Sequence, residues 1–304
     1  MARPHLIALC LALAAGCARS SASPPAAKAA PQLAQEAEEA LDRGDAERAL
    51  ARADEGLRAI EVPPRAPQPD RALAVRLLVA AASAETDLGR ADLALPRAER
   101  AVRMAPDDPD AAWSRAICLW ELCRFDDAEA ALRRTLALGP DDAWALHHLG
   151  LAAERRGDAK GAQELFARAR RLRPEDFPPE VPVDDAAFAA EVKRAVATLG
   201  EADRRALASV PLELADLPAT EDLVAVEPPL SPGILGLFRG PPEDEPCLPD
   251  DGPVCRSIVL YRKNLARFAR DRRELDQQIR VTLLHELGHL HGEDDESLRR
   301  HGLE

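Results

Sequence analysis

"PDDAWALHHLGLAAERRGDAKGAQELFARARRLRP" spans residues 140–174 and decides how the first half of the chain folds. It opens on Pro140 and closes on Pro174, and Pro106 stands the same distance upstream, so the prolines mark a period of 34 residues. Aligned on them, Ala82, Ala116 and Gly150 fall in register, and so do Gly89, Cys123 and Gly157. Ala94, Ala128 and Ala162 follow, then Ala101, Thr135 and Ala169. Small residues recurring at fixed places suit paired helices whose backbones approach closely, and the stretches between the breaks read as helical.

This period and pattern resemble tetratricopeptide repeats. An earlier, more divergent unit contains "LDRGDAERALARADEGLRAIE" (41–61), and the Pro-rich break "VPPRAPQPD" (62–70) separates it from the next, giving about four units over residues 32–174. Such repeats stack into a curved array whose concave face binds peptides or partner proteins and supplies no reaction chemistry. His147 and His148 have no carboxylate or thiol at ligand spacing and read as packing or helix-surface residues. Cys118 and Cys123, five residues apart, point to different sides of a helix and read as packed thiols.

Upstream, "MARPHLIALCLALAAGC" sets Arg3 before an apolar run from Leu6 to Ala15 that is too short for a stable span, as in a secretion signal. Ala14, Ala15 and Gly16 precede Cys17 in an order that resembles a bacterial lipobox, which implies a signal peptide over 1–16 and lipidation of Cys17. Ala14 departs from the leucine commoner there. The low-complexity residues 17–31 read as a flexible tether. Ala18 carries no acidic retention signal, so the expected address is the cell envelope, at the periplasmic side of the outer membrane.

The whole chain of 304 residues is long enough for about two domains. A net charge of −13 leaves no basic surface for nucleic acid or anionic lipid, so membrane contact is expected through the lipid anchor only. Domain change falls at "RLRPEDFPPEVPVDD" (171–185), with the second unit taken as 177–304. "AAFAAEVKRAVATLG" predicts a helix ending at Gly200, and "VPLELAD", "LVAVE", "GILGLFRG" and "SIVLYR" predict short strands. A last helix begins near Asp271, where Asp271 and Glu274 have capping-box spacing, and carries Leu275, Ile279, Leu283 and Leu287 on one face.

That helix ends in "VTLLHELGHLHGEDDE" (281–296). His285 and His289, four apart, project from one face and can take two positions of a zinc ion. Glu286 beside the first ligand can act as general base on water whose pKa zinc lowers toward ~7. Gly292 can end the helix in a left-handed turn that brings Asp295 toward the metal. By offset alone Asp294 and Glu296 could replace Asp295; if Asp295 is the ligand, Asp294→Ala should be nearly neutral.

With "SIVLYRKNLARFARDRRELDQQIRVTLLHELGHLHGEDDESL" (257–298), the second unit resembles the minimal zincin-like metallopeptidases of bacteria, also called matrix-metalloprotease-like. The resemblance rests on the Leu260-Tyr261-Arg262 step and an H-E-x-x-H-x-x-G-x-x-D signature. It implies a small α+β domain behind the all-α solenoid, one Zn2+ held by His285, His289 and Asp295, and Glu286 as general base. The family resembles metzincins in its motif but lacks their C-terminal subdomain. Because the only methionines are Met1 and Met104, a methionine turn is absent and less support is expected beneath the site.

His291 reads as a bystander. Tyr261 reads either as an oxyanion donor or as a strand residue. Cys247 and Cys255 bracket "CLPDDGPVC" and, outside the cytoplasm, are expected to form a disulfide. Two functions are consistent with these residues: a membrane-tethered zinc peptidase whose repeats recruit a protein substrate or partner, or a non-catalytic envelope adaptor that binds zinc structurally. Glu286 favours the first, because a structural zinc site needs no base.

Overall fold

A computed structural model describes residues 29–60, 68–248 and 254–303. The signal peptide, Cys17 and most of the 17–31 tether lie outside these residues.

Among the described residues, eight helices make the array: α1 (Ala30–Leu41), α2 (Ala46–Ala59), α3 (Gln68–Asp87), α4 (Ala91–Met104), α5 (Pro109–Glu121), α6 (Phe125–Leu138), α7 (Ala143–Arg155) and α8 (Ala159–Leu172). They pack as four successive pairs. One device starts α2, α5, α7 and α8: the carboxylates of Asp45, Asp108, Asp142 and Asp158 accept the N–H of Arg48, Ala111, Ala145 and Gly161. Rows of alanine, including Ala82, Ala94, Ala116 and Ala128, are fully buried between helices and let the axes close in. Gly150 serves the same end, since a Cβ there would stand 2.5 Å from the Phe166 ring.

The register of Gly89, Cys123 and Gly157 has a different cause from close approach. These residues sit in the turn inside each pair with φ of +71°, +56° and +80°. Left-handed backbone favours glycine there, and Cys123 adopts it at a cost of roughly 1 kcal/mol. Cys118 and Cys123 are buried free thiols, as their spacing predicts, and burial pushes both up to about 11. His147 and His148 are packing residues: His147 stacks on Phe177 at 4.7 Å, and His148 meets Trp113 and Trp120 edge-on. Burial pushes His147 down to about 3. Phe177, which the sequence places at the head of the second unit, packs into the array against Ala143, Leu146 and Ala169.

The second unit contains α9 (Asp185–Thr198), α10 (Glu201–Leu207), β1 (Leu212–Ala215), α11 (Thr220–Leu223), β2 (Gly236–Arg239), β3 (Ser257–Tyr261), α12 (Arg262–Phe268), α13 (Arg272–Leu290) and α14 (Asp295–Arg300). Its sheet has the order β1-β3-β2, with β1 parallel and β2 antiparallel to the central β3. All five residues of β3 are buried, and Ile258 and Leu260 pack with Leu275, Ile279, Leu283 and Leu287 of α13 and Phe188 and Val192 of α9. The stretch "LVAVE" is not a strand. Only Leu223 is buried, at the end of α11, while Val224 and Val226 are each 49% exposed, and Pro228 and Pro229 behind them lack ladder donors. At the head of α13, Asp271 accepts the Glu274 N–H at 2.9 Å, and Glu274 reaches back to the Arg270 N–H at 2.7 Å, one residue beyond a standard capping box.

Charge joins the two units. Glu154 of α7 pairs with Lys263 at 3.2 Å and with Arg267 of α12. Arg155 donates to the Pro218 carbonyl at 3.1 Å, and the Cys123 thiol donates to the Leu230 carbonyl at 3.6 Å. A cavity of about 280 Å³ lies at this junction, lined by Trp120, His147, Leu217, Leu235 and Phe268 among others.

Candidate metal centre

Helix α13 presents His285 and His289 one turn apart, and the helix then stops in a turn built on Gly292. Gly292 takes φ +83°, the Glu293 N–H returns to the Gly288 carbonyl at 2.9 Å, and the chain reverses into α14. Close contact between α13 and α14 depends on Gly288, whose hydrogen faces the buried Leu298 side chain where a Cβ would collide. Asp295 is therefore carried back over α13. Its Oδ1 lies 3.4 Å from His285 Nε2 and 3.3 Å from His289 Nε2, and the two Nε2 atoms are 3.1 Å apart.

Hydrogen bonding assigns the tautomers. His285 Nδ1 is 2.7 Å from the Leu303 carbonyl and His289 Nδ1 is 2.9 Å from the Glu293 carbonyl. A carbonyl only accepts, so both Nδ1 atoms carry a proton, and each ring turns Nε2, the nitrogen left for a metal, inward. Two imidazole Nε2 atoms and a carboxylate oxygen thus converge on one point. Ligands about 2.0–2.1 Å from a tetrahedral zinc stand about 3.3 Å from one another, which matches the three separations found here. The donor set fits zinc in both type and spacing.

Asp294, adjacent to Asp295, is engaged elsewhere, because its carboxylate caps α14 by accepting the Ser297 N–H at 2.8 Å. It is thereby diverted from the centre, and the expectation that Asp294→Ala is nearly neutral is corrected, because the cap supports the helix on which Asp295 is the first residue. Glu296 is likewise outside the converging set. His291 pairs with Glu243 at 2.8 Å and takes no part.

Glu286 is 5% exposed and lies under β2. It accepts a backbone hydrogen bond from Phe238, and burial, reinforced by the nearby Asp295 charge, pushes its carboxyl up to about 8 despite that bond. Room for it comes from Gly236, where a Cβ would stand 2.7 Å from Glu286 Oε1 and 2.6 Å from Thr282. Tyr261 is fully buried at the end of β3, its hydroxyl has no hydrogen-bond partner among the described residues, and burial pushes it up to about 12. Cys247 and Cys255 are joined as a disulfide with Cα atoms 5.9 Å apart. Sequence reasoning missed Gly236, Phe238, the Asp294 cap and the two carbonyl acceptors. Only Gly236 leaves a signal, a glycine within the strand candidate "GILGLFRG", which marks close approach.

Residues 207–303 match the zincin-like metallopeptidase family, and residues 79–143 and 122–177 match the tetratricopeptide repeat. Residues 207–303 are thus a zincin-like metallopeptidase domain, standing behind tetratricopeptide repeats at 79–177. The zincin-like match begins at α10 and takes in every residue of the converging set. Among solved structures, the chain is similar to YrrB, described as a TPR protein with an unusual peptide-binding site, at 20% identity and a TM-score of 0.38 over 48% of this chain and 70% of that one. It is also similar to MamA at 17% identity and a TM-score of 0.39, over 48% and 80% of the two chains. No curated protein matches it.

Proposed function

We propose that the chain is a membrane-tethered, zinc-dependent metallopeptidase that hydrolyses peptide bonds, with its repeat array recruiting a protein substrate or partner. The observation that supports it best is the convergence of His285 Nε2, His289 Nε2 and Asp295 Oδ1, with Glu286 buried beside them. Three protein donors are usual at catalytic zinc, which leaves a coordination position for chemistry. When bound, zinc supplies Lewis acidity and makes water nucleophilic near neutral pH.

The rest belongs to the chain. His285, His289 and Asp295 hold the ion, and the two carbonyl-bound Nδ1–H groups keep the rings oriented. Glu286 takes a proton from water and returns it to the leaving amine, as a general base followed by a general acid. Its high pKa in the metal-free protein suits the acid half of that cycle, and a cation among the three donors favours the ionised base by Coulomb attraction. Phe238 N–H holds the carboxylate in place throughout.

For the array, a cavity of about 260 Å³ across α1, α3 and α5 supports peptide binding; Leu41, Val75, Trp113, Asp108 and Asp110 are among its lining residues. Its carboxylates outnumber the lining cation Arg76, which Glu38 already pairs, and so favour a segment that carries basic side chains. The lipid anchor at Cys17 and an outer-membrane, periplasmic address rest on the sequence alone. Metal analysis and a peptide-library cleavage assay on the purified protein test the enzymatic reading. Zinc without cleavage, in wild type and in Glu286→Gln alike, would favour the adaptor instead.

A further inference from the structure

We infer that the backbone carbonyl of Leu303 is a positioning group of the metal centre, fixing the tautomer and ring orientation of His285, so that the turn at residues 301–303 is part of the site. The inference rests on the metallopeptidase reading only for the identity of the ion.

The two histidines solve the same problem differently. His289 sits in the last turn of α13, and the helix stop itself supplies its acceptor: the Glu293 carbonyl lies four residues on, held by the return of the Glu293 N–H to Gly288. His285 lies one turn deeper, where backbone carbonyls are committed to the helix ladder. Its acceptor has to come from elsewhere in the chain. It comes from Leu303, eighteen residues later, at 2.7 Å.

The tail is held in that position at several points. Leu298 is fully buried against Gly288 and anchors α14 on α13. Beyond it, Leu303 N–H donates to the Leu298 carbonyl at 3.1 Å, across a turn in which Gly302 takes φ +74°. His301 Nδ1 reaches the Glu293 carboxylate at 3.2 Å, and Ser297 Oγ donates to the same carboxylate at 2.8 Å, so the tail is tied to the residue that orients His289. Support for the site thus comes from α14 and the three residues after it. Without the Leu303 carbonyl no described acceptor faces His285 Nδ1, the Asp295 carboxylate 3.4 Å from Nε2 competes for the proton, and the ring must be ordered when the ion binds. Losses of this kind weaken metal binding by roughly 10–100-fold.

The test uses the zinc-loaded protein with nitrogen-15-labelled histidine, comparing wild type, a chain ended after Leu303, a chain ended after Gly302, and Gly302→Val at full length. Ending at Leu303 keeps an oxygen acceptor in place. Ending at Gly302 removes it, and Gly302→Val strains the +74° turn and swings it away without shortening the chain. Two quantities are read: the zinc dissociation constant by chelator competition, and the water-protected ring Nδ1–H resonances. Wild type and the chain ended at Leu303 should show both resonances and equal affinity. The other two should lose the His285 resonance, keep that of His289, and bind zinc roughly 10–100-fold more weakly. Both resonances surviving with unchanged affinity overturns the inference alone. Loss of both together also overturns it, because the effect would then be a general collapse. A wild type that holds no zinc overturns the metal reading, and this inference with it. If the shortened chain does not fold, Gly302→Val decides.

Discussion

The array and the zincin-like unit are both largely helical, yet they use their residues differently. In the array one solution recurs again and again: an aspartate cap, a row of buried alanines, a left-handed turn. In the second unit the same kinds of device are each put to a particular use at the centre. Gly292 turns the chain, Gly288 admits Leu298, Gly236 admits Glu286, and Asp294 caps the helix that carries Asp295. Redundancy makes the array tolerant of single changes, whereas the centre depends on single atoms.

The sharpest contrast is between histidines. His289→Ala should abolish both zinc retention and peptide cleavage, because it removes a third of the donor set. His148→Ala in the array should leave bound zinc, measured on the purified protein, as in wild type. Equal zinc loss in both would break the comparison.

Next in size is the bond between the regions. Glu154 is almost buried, and Glu154→Gln leaves Lys263 and Arg267 facing an uncharged group, although Asp216 and Glu180 remain as partners. Stability in chemical unfolding should fall by about 2 kcal/mol, below the usual loss for a fully buried pair because of those partners. No change would mean that the two units are joined by other contacts.

A pH effect isolates Glu286. Its carboxyl in the metal-free folded protein is raised to about 8 from an ordinary 4.5. Below 4.5 it is neutral in both folded and unfolded chains; between the two values only the unfolded chain ionises, so the folded state binds more protons and stability falls as pH rises. The melting temperature of metal-free wild type should therefore drop relative to Glu286→Gln between about pH 4.5 and 8, and the gap should stay constant above. Parallel melting curves across that window would contradict the burial of this carboxyl.

Caps give the smallest difference in stability and the finest comparison. Asp108→Ala and Asp294→Ala each remove one capping bond and should each cost about 1 kcal/mol. Only Asp294→Ala should also weaken zinc binding, through the helix that presents Asp295. Titration of both variants with zinc checks this.

Legibility in the sequence divides along the same line. The array was legible because a period repeats its own signal: the spacing of Pro106, Pro140 and Pro174 aligned whole units, although it did not distinguish close approach at Gly150 from left-handed turns at Gly89, Cys123 and Gly157. In the second unit the donor residues were legible because helix geometry fixes His285 and His289 on one face and glycine at 292 stops the helix. Their support was not. The Leu303 and Glu293 carbonyls are backbone atoms that every residue has, and in the letters the capping Asp294 differs from the converging Asp295 only by its offset from Gly292. The stretch "LVAVE" misled because alternation marks a strand only where a neighbour is free to pair.

The central claim is that the converging donors and Glu286 form a working peptidase centre. Its most direct test measures bound zinc and peptide cleavage on the same samples of wild type and Glu286→Gln. Equal zinc in both, with cleavage by wild type and a fall of roughly a hundredfold or more in the variant, is the predicted result, since a general base is lost while every donor remains. A wild type that binds no zinc, or a variant that cleaves as fast as wild type, would contradict the account.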